Sequence, residues 1–209
     1  YTFCQKYNLK CVYGVEAYYV DNRYEKDKGN YHIILIAMTE NGRKQINKII
    51  SEANISGFYY KARMDKELLL TLNPKDVVIT TTCIQSRLFK GDNWLENFFL
   101  PVYNHFGQSL YLEVQNHNSA PQIEHNKKIL ELSEKYGVKI IHANDSHYIF
   151  PEDAEYRALF LHAKGINYGD EDTFILDYPD EETIIDRYHK QGVLNDDQIK
   201  AALDNTLIF

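Results

Sequence analysis

The feature that most constrains this chain is a run of short apolar segments that switches between two periods. Residues 31–38, YHIILIAM, form a nearly continuous apolar stretch of strand length. Such a run reads as a buried strand with cover on both faces. Directly after it, Thr39 opens a helix to about Asn54, with Ile46, Ile49 and Ile50 on one side and Lys44, Lys48 and Glu52 on the other. The pattern then repeats. Cys11–Val20, Val77–Thr81, Ser109–Gln115 and Val138–Ala143 read as strands, while Asp65–Leu72, Asn93–Phe106, Pro121–Tyr136 and Pro151–Lys164 read as helices. Asp21–Asn30 is a charged loop or hairpin connection. Strands alternating with helices through short connections predict a parallel α/β arrangement, open or barrel-shaped. After Gly165 the character changes. Residues 167–178 are acidic and loop-like, and 179–190 and 196–207 each read as an exposed helix, the second capped by Asn195. This tail is expected to be an appendage of the preceding domain.

A chain of 209 residues can bury a sizeable core as one large domain or two small ones. Against 23 Lys and Arg stand 30 Asp and Glu, a net charge of −7. That balance makes a poor non-specific grip on nucleic acid, which needs clustered cations. The longest apolar run, Ile33–Met38, falls far short of the ~20 residues of a membrane-spanning helix. No basic segment followed by an apolar one opens the chain, so secretion is unsupported. Cys4, Cys11 and Cys83 form no CxxC pair and suit a reducing, cytoplasmic setting. The first residue is Tyr1 rather than Met, and the sequence is read as a piece of something longer.

The residues able to carry chemistry gather where strands are expected to end. Asp145 and His147, in Asn144-Asp145-Ser146-His147, follow a strand and stand two apart. In an extended segment both would point the same way and reach one metal, although a capped turn explains the same residues. Glu16 lies in the apolar and aromatic segment CVYGVEAYY, where an unpaired buried carboxylate would be costly. A place on the wet face of an edge strand would remove that cost. His32 opens the buried strand and doubles as a plausible structural histidine. Cys83 ends the strand beginning at Val77, where a thiolate is a soft ligand and a thiol is only a small hydrophobe. His105, His117, His125 and His142 are read as structural. GxSxG, Walker A, GxGxxG and HExxH motifs are absent from the sequence.

Longer motifs are more specific. The segment Tyr31–Met38 followed by Asn41-Gly42 resembles the Y-H-hydrophobic-L-A-x-N-x-x-G stretch of the PHP (polymerase and histidinol phosphatase) domain. Gly57-Phe58-Tyr59-Tyr60-Lys61-Ala62-Arg63-Met64-Asp65 is similar to G-F-Y-Y-K-P-R-hydrophobic-D of that domain in the bacterial DNA polymerase III alpha subunit, with Ala62 in place of proline. Tyr111–His117 resembles its Y-L-E-L-Q-x-H, and Asn144–Tyr148 with Glu152-Asp153-Ala154 resembles its N-D-S-H-Y and E-D-A. In the tail, Ala202–Ile208 is similar to the A-L-x-N-T-x-x-I stretch leading towards the polymerase core.

The resemblance implies a distorted seven-stranded (β/α)7 barrel over residues 1–164, with 165–209 a helical extension. It also implies a polynuclear centre of zinc, manganese or iron at the strand C-termini. The ligands carried over by motif are Glu16, His32, Cys83, Asp145 and His147. The family's H-x-H, D-G and D-H motifs, and with them the first strands, are expected upstream of Tyr1. Where the family has S-G-C, this chain reads Thr81-Thr82-Cys83. The implied activity is metal-assisted phosphodiester hydrolysis, a 3′–5′ exonuclease, or support of a polymerase. DNA and replisome subunits are the partners implied through the parent. The alternatives are a stand-alone phosphoesterase acting on small phosphomonoesters and a non-catalytic scaffold.

Overall fold

The computed structural model describes residues 2–166 and 174–209, so most of the acidic stretch read at 167–178 lies outside the described residues. The chain divides into two compact units, one running to Tyr111 and including Phe209, the other Leu112–Ile208.

The first unit opens with a short helix α1 (Thr2–Lys6) and contains β1 (Tyr13–Tyr19), β2 (Tyr31–Ala37), α2 (Glu40–Ser56), β3 (Arg63–Met64), α3 (Lys66–Leu69) and β4 (Val77–Thr80). A π-helical turn, Leu95–Phe99, then runs into α4 (Leu100–Phe106). Gly107, at φ +50°, ends that helix. The sheet is mixed rather than parallel. β1 pairs antiparallel with β2, from Tyr13 opposite Ala37 to Tyr19 opposite Tyr31, and β2 pairs antiparallel with β4. β3 joins β1 in parallel, and the first residues of β5 (Leu110–Val114) join β4 in parallel. The reason lies in the connection between β1 and β2: it contains no crossover helix, and without one a neighbouring strand returns antiparallel.

Burial along β2 also differs from the expectation of cover on both faces. Ile33 and Leu35 are fully buried, while His32, Ile34 and Ile36 are half-buried. The apolar run therefore supplies one core face, completed by Ile46 and Ile49 of α2 and by Val77 and Ile79 of β4. Thr39 caps α2 as its sequence position indicates, its side chain accepting from Gly42 N.

One buried arginine organises this unit. Arg63, 2% exposed, donates to the carbonyls of Gly57, Asp27, Arg23 and Glu25 at 2.6–3.1 Å. It thereby ties the β1–β2 connection to the end of α2. Beside it Arg23 pairs with Asp65 at 2.7 Å, both buried, and Asp65 also caps α3 by accepting from Leu68 N. Gly57 is required by close approach, since a Cβ there would sit 2.0 Å from the Arg63 carbonyl oxygen. The Gly57–Arg63 motif is thus a structural staple.

The second unit holds the rest of β5, α5 (Ala120–Tyr136), β6 (Ile140–His142), α6 (Ala154–Lys164), α7 (Glu181–Gln191) and α8 (Asp196–Asp204). β5 and β6 pair in parallel, with Val114 opposite His142. The tail helices are not the exposed elements that their polarity predicted. Tyr188 and Ile184 of α7, and Ile199 and Ala202 of α8, are buried. Tyr188 donates to Val114 O, while Gln191 bridges Asn126 of α5 and the carbonyls of Gln115 and His117. Among the described residues no helix is long and apolar enough to cross a membrane.

Replacing Arg63 by Leu should strand its four carbonyl partners and lower unfolding free energy by about 3 kcal/mol or more, read from urea denaturation. Arg63→Lys should restore only part, because an ammonium lacks the guanidinium's planar fork. A loss under about 1 kcal/mol for the leucine variant would remove the staple.

Candidate metal centre

In the first unit, strand register places Tyr18 opposite His32 and Glu16 opposite Ile34. The two-residue period then puts Glu16, Tyr18, His32 and Ile34 on one face, with Glu16 and His32 as diagonal neighbours. His32 Nδ1 lies 3.3 Å from Glu16 Oε1, and the Tyr18 ring meets the imidazole edge-on at 5.6 Å. Glu16 is 44% and His32 26% exposed at the side chain. The carboxylate therefore stands on the wetter face, and the desolvation cost inferred from its apolar neighbours does not arise.

Cys83 falls on the loop after β4, since that strand ends at Thr80. This loop is fastened to the backbone of His32: Thr82 Oγ1 donates to His32 O at 3.1 Å and His32 N donates to Gln85 O at 3.0 Å. Cys83 sits between those two anchors, its Sγ accepting from Gln85 N at 3.4 Å. Thr82 takes φ +62°, an uncommon conformation for a β-branched residue.

In the second unit Asp145 and His147 come together, Oδ1 to Nε2, at 3.8 Å, each about two-fifths exposed. They do so by a route other than the extended pleat. β6 stops at His142, and Asp145 adopts φ +53°, so a left-handed residue turns the chain back on itself. A parallel segment holds the loop in place. His147 N and Tyr148 N donate to Leu176 O, and Ser146 Oγ donates to Asp177 O at 2.6 Å. Arg187 forks onto the Asp177 carboxylate with two contacts of 2.7 Å.

His117, read from sequence as structural, lies just beyond β5. Val114 opposes His142, so His117 and Asp145 stand three residues beyond the same rung of adjacent parallel strands. His117 is 2% exposed, stacks on Phe174 at 4.7 Å and 7°, and has neither ring nitrogen in a well-formed hydrogen bond. Burial pushes its pKa down to about 4, with the Asp145 carboxylate pulling weakly the other way. The available signal was its position after a strand, in Gln115-Asn116-His117. His142 is also pushed down to about 4 by burial, and lies between Tyr188 Oη at 2.7 Å and Asn144 Oδ1 at 2.9 Å. It is structural, as read. His105 is too, with Nε2 2.8 Å from Leu72 O.

Among the described residues, no group of three or more His, Cys, Asp or Glu side chains stands in metal-holding geometry. At the residues singled out from sequence the structure shows two carboxylate–imidazole pairs, one in each unit, and a thiol on a loop anchored to one of the histidines; a further pair, His189 with Asp196 at 2.9 Å, joins α7 to the start of α8.

The chain belongs to the PHP domain family, whose pattern matches residues 1–117. Among curated proteins it is 33% identical over 165 residues to the DNA polymerase III subunit alpha of Aquifex aeolicus, covering 69% of this chain and 14% of that protein. It is 33% identical to the same subunit of Borreliella burgdorferi, covering 74% of this chain and 14% of the relative. A DNA-directed DNA polymerase of Bacillus phage SPbeta is 29% identical over 192 residues, covering 75% of this chain and 15% of the relative. The chain thus spans about one seventh of the length of the relatives it matches.

The buried histidines set an acid limit on stability. The folded-state pKa of His142 is about 4 against an ordinary 6.5, so the unfolded chain binds more protons between those values. Its contribution is complete above pH 6.5 and is lost as pH falls towards 4, on the order of 3 kcal/mol in all. His142→Gln should flatten the dependence of the urea midpoint on pH across that window relative to the parent. An unchanged slope would show that His142 does not titrate with unfolding.

Proposed function

We propose that this chain is part of the PHP domain of a DNA polymerase III alpha-type replicase, and that each of its carboxylate–imidazole pairs, Glu16–His32 in the first unit and Asp145–His147 in the second, is a donor pair for divalent metal in phosphodiester hydrolysis, a 3′–5′ exonuclease function. The observation that carries this reading is the pairing itself: Glu16 with His32 at 3.3 Å and Asp145 with His147 at 3.8 Å, all partly exposed. Oxygen and nitrogen donors, with the thiol of Cys83, suit zinc, manganese or iron. Their partial exposure lets a cation arrive without burying an uncompensated charge. A bound divalent ion supplies Lewis-acid polarisation of a phosphoryl oxygen and offsets the charge that develops on it.

The chain's own residues do the positioning. Glu16 faces Nδ1 of His32, which assigns Nε2 of that ring to an incoming group. Thr82 and Gln85 hold the His32 backbone, so the ring has a fixed origin. Arg187 and Asp177 hold the loop that presents Asp145 and His147. His117, uncharged above about pH 4, follows the end of β5 as Asp145 follows the end of β6.

In this reading residues 1–164 form part of the family's (β/α)7 barrel, and 165–209 lead towards the polymerase core. DNA and the other replisome subunits are engaged through the parent, in the cytoplasm. The polymerase relatives favour this over a stand-alone phosphomonoesterase. A purely bracing role for the domain is favoured by one observation, the lack of a three-residue metal cluster among the described residues.

Metal content by plasma mass spectrometry, after purification without chelator, should fall by more than half in Glu16→Ala/His32→Ala and in Asp145→Ala/His147→Ala. In the full-length parent, His32→Ala should reduce 3′–5′ exonuclease rate at least about tenfold while polymerisation persists. Unchanged metal content in both double variants would contradict the assignment and leave the bracing role.

A further inference from the structure

Among the described residues, the buried side-chain nitrogens and oxygens that lack a hydrogen-bond partner all lie in residues 115–125, between the end of β5 and the first turns of α5. Gln115 and Gln122 have their amide nitrogens tied at 2.9 Å, to Glu113 Oε1 and Asn126 Oδ1, while both Oε1 atoms stay unused. Asn116 Nδ2, Ser119 Oγ and both ring nitrogens of His117 lack a well-formed hydrogen bond too, although the Ile175 backbone lies beside that ring. These five residues are 0–6% exposed. Ser119 is the N-cap of α5, yet its side chain makes no capping bond. The contrast is Asn126, which uses its oxygen for Gln122 and its nitrogen for Gln115 O and Gln191 Oε1. Gln191 also holds the carbonyls of Gln115 and His117, so the backbone under the cluster is fixed. Buried groups left unmade are costly, and their concentration in one place calls for a ligand that completes them.

The pattern of unused groups selects the ligand. Two fixed acceptors, Gln115 Oε1 and Gln122 Oε1, stand with donors on Asn116 and Ser119 and with a neutral imidazole that both donates and accepts. A phosphate would meet those acceptors and the neighbouring Glu113 and Asp145 carboxylates, and Arg187 is already forked onto Asp177. A cation would meet the donors. One water serves about two to four groups, fewer than the atoms left unused here. A nucleobase is neutral and flat, and carries N–H donors beside acceptors on one edge. The His117 ring already takes a flat partner, since half-buried Phe174 lies parallel to it, 4.7 Å between centroids and 7° between planes. We propose that Gln115, Asn116, His117, Ser119 and Gln122 form a subsite for the terminal nucleobase of the strand being hydrolysed. The amides and hydroxyl bond its edge, and its face stacks on His117 in the place of Phe174. A base at an unpaired 3′ end has an edge that pairing no longer covers, and this cluster covers it. The position suits the role, because His117 and Asp145 stand three residues beyond the paired Val114 and His142. The proposal deepens the hydrolytic reading and rests on it, whereas binding of the base itself requires no metal.

The test pairs two measurements on the full-length parent. Saturation-transfer NMR follows binding of the four deoxynucleosides, which carry no phosphate, in EDTA. Hydrolysis is compared on strands whose 3′ end is a normal nucleotide or an abasic one. Nucleosides should bind without metal, and Asn116→Ala and Ser119→Ala should each raise Kd at least about tenfold. Neither variant should lower the unfolding midpoint, because the atoms removed have no partner in the unliganded fold. The normal end should be hydrolysed with kcat/KM at least about tenfold above the abasic end, and that ratio should collapse in both variants. A parent that binds no nucleoside overturns the proposal, whether it takes up inorganic phosphate at these residues or only water. Nucleoside binding that both variants leave intact overturns it as well. Equal hydrolysis of the two ends overturns this proposal alone. Variant-sensitive nucleoside binding in a parent that hydrolyses neither strand leaves the base site standing and the exonuclease reading fallen.

Discussion

The first unit depends on the Arg63 guanidinium. A buried cation in this position would be destabilising alone, and four backbone carbonyls from the β1–β2 connection and the end of α2 receive its hydrogens. Those carbonyls belong to irregular chain that no strand or helix ladder serves, so one side chain satisfies two segments at once. The Arg23–Asp65 pair lies against the same connection and extends the network to the start of α3. With the connection fixed, the register of β1 on β2 is fixed. A one-residue slip would carry Glu16 to the opposite face and separate it from His32. The chemistry of that pair is therefore set by an arginine that takes no part in it.

The second unit reaches a similar pairing by different means. Here a left-handed Asp145, the Leu176 and Asp177 carbonyls and the Arg187 fork shape a loop beyond β6. Tyr188 and Gln191 secure α7 to the end of β5, which also fixes the backbone of His117. The tail helices thus position the loop and the strand end that carry the candidate residues.

Much of this was legible in the sequence. The helices and their caps at Thr39, Asp65 and Asn195 follow from local side-chain-to-backbone bonding, which operates over three residues and leaves a direct trace. The pairing of Asp145 with His147 was legible from spacing, although the backbone that achieves it was not. Strand direction was lost because apolar periodicity does not distinguish parallel from antiparallel neighbours. The two-residue β3 is too short to leave a pattern. The burial of Tyr188 and the placing of His117 depend on contacts 74 and 57 residues away in sequence, which a periodicity reading cannot reach.

The central claim is that the Glu16–His32 and Asp145–His147 pairs are metal donors. It is tested most directly by following the imidazole resonances of the eight histidines during titration with manganese(II). The account predicts that His32 and His147 broaden first, at substoichiometric metal, while His105 and the exposed His162 stay sharp. Broadening that begins at His162, or at the His189–Asp196 pair, or that spreads evenly over all eight, would contradict it.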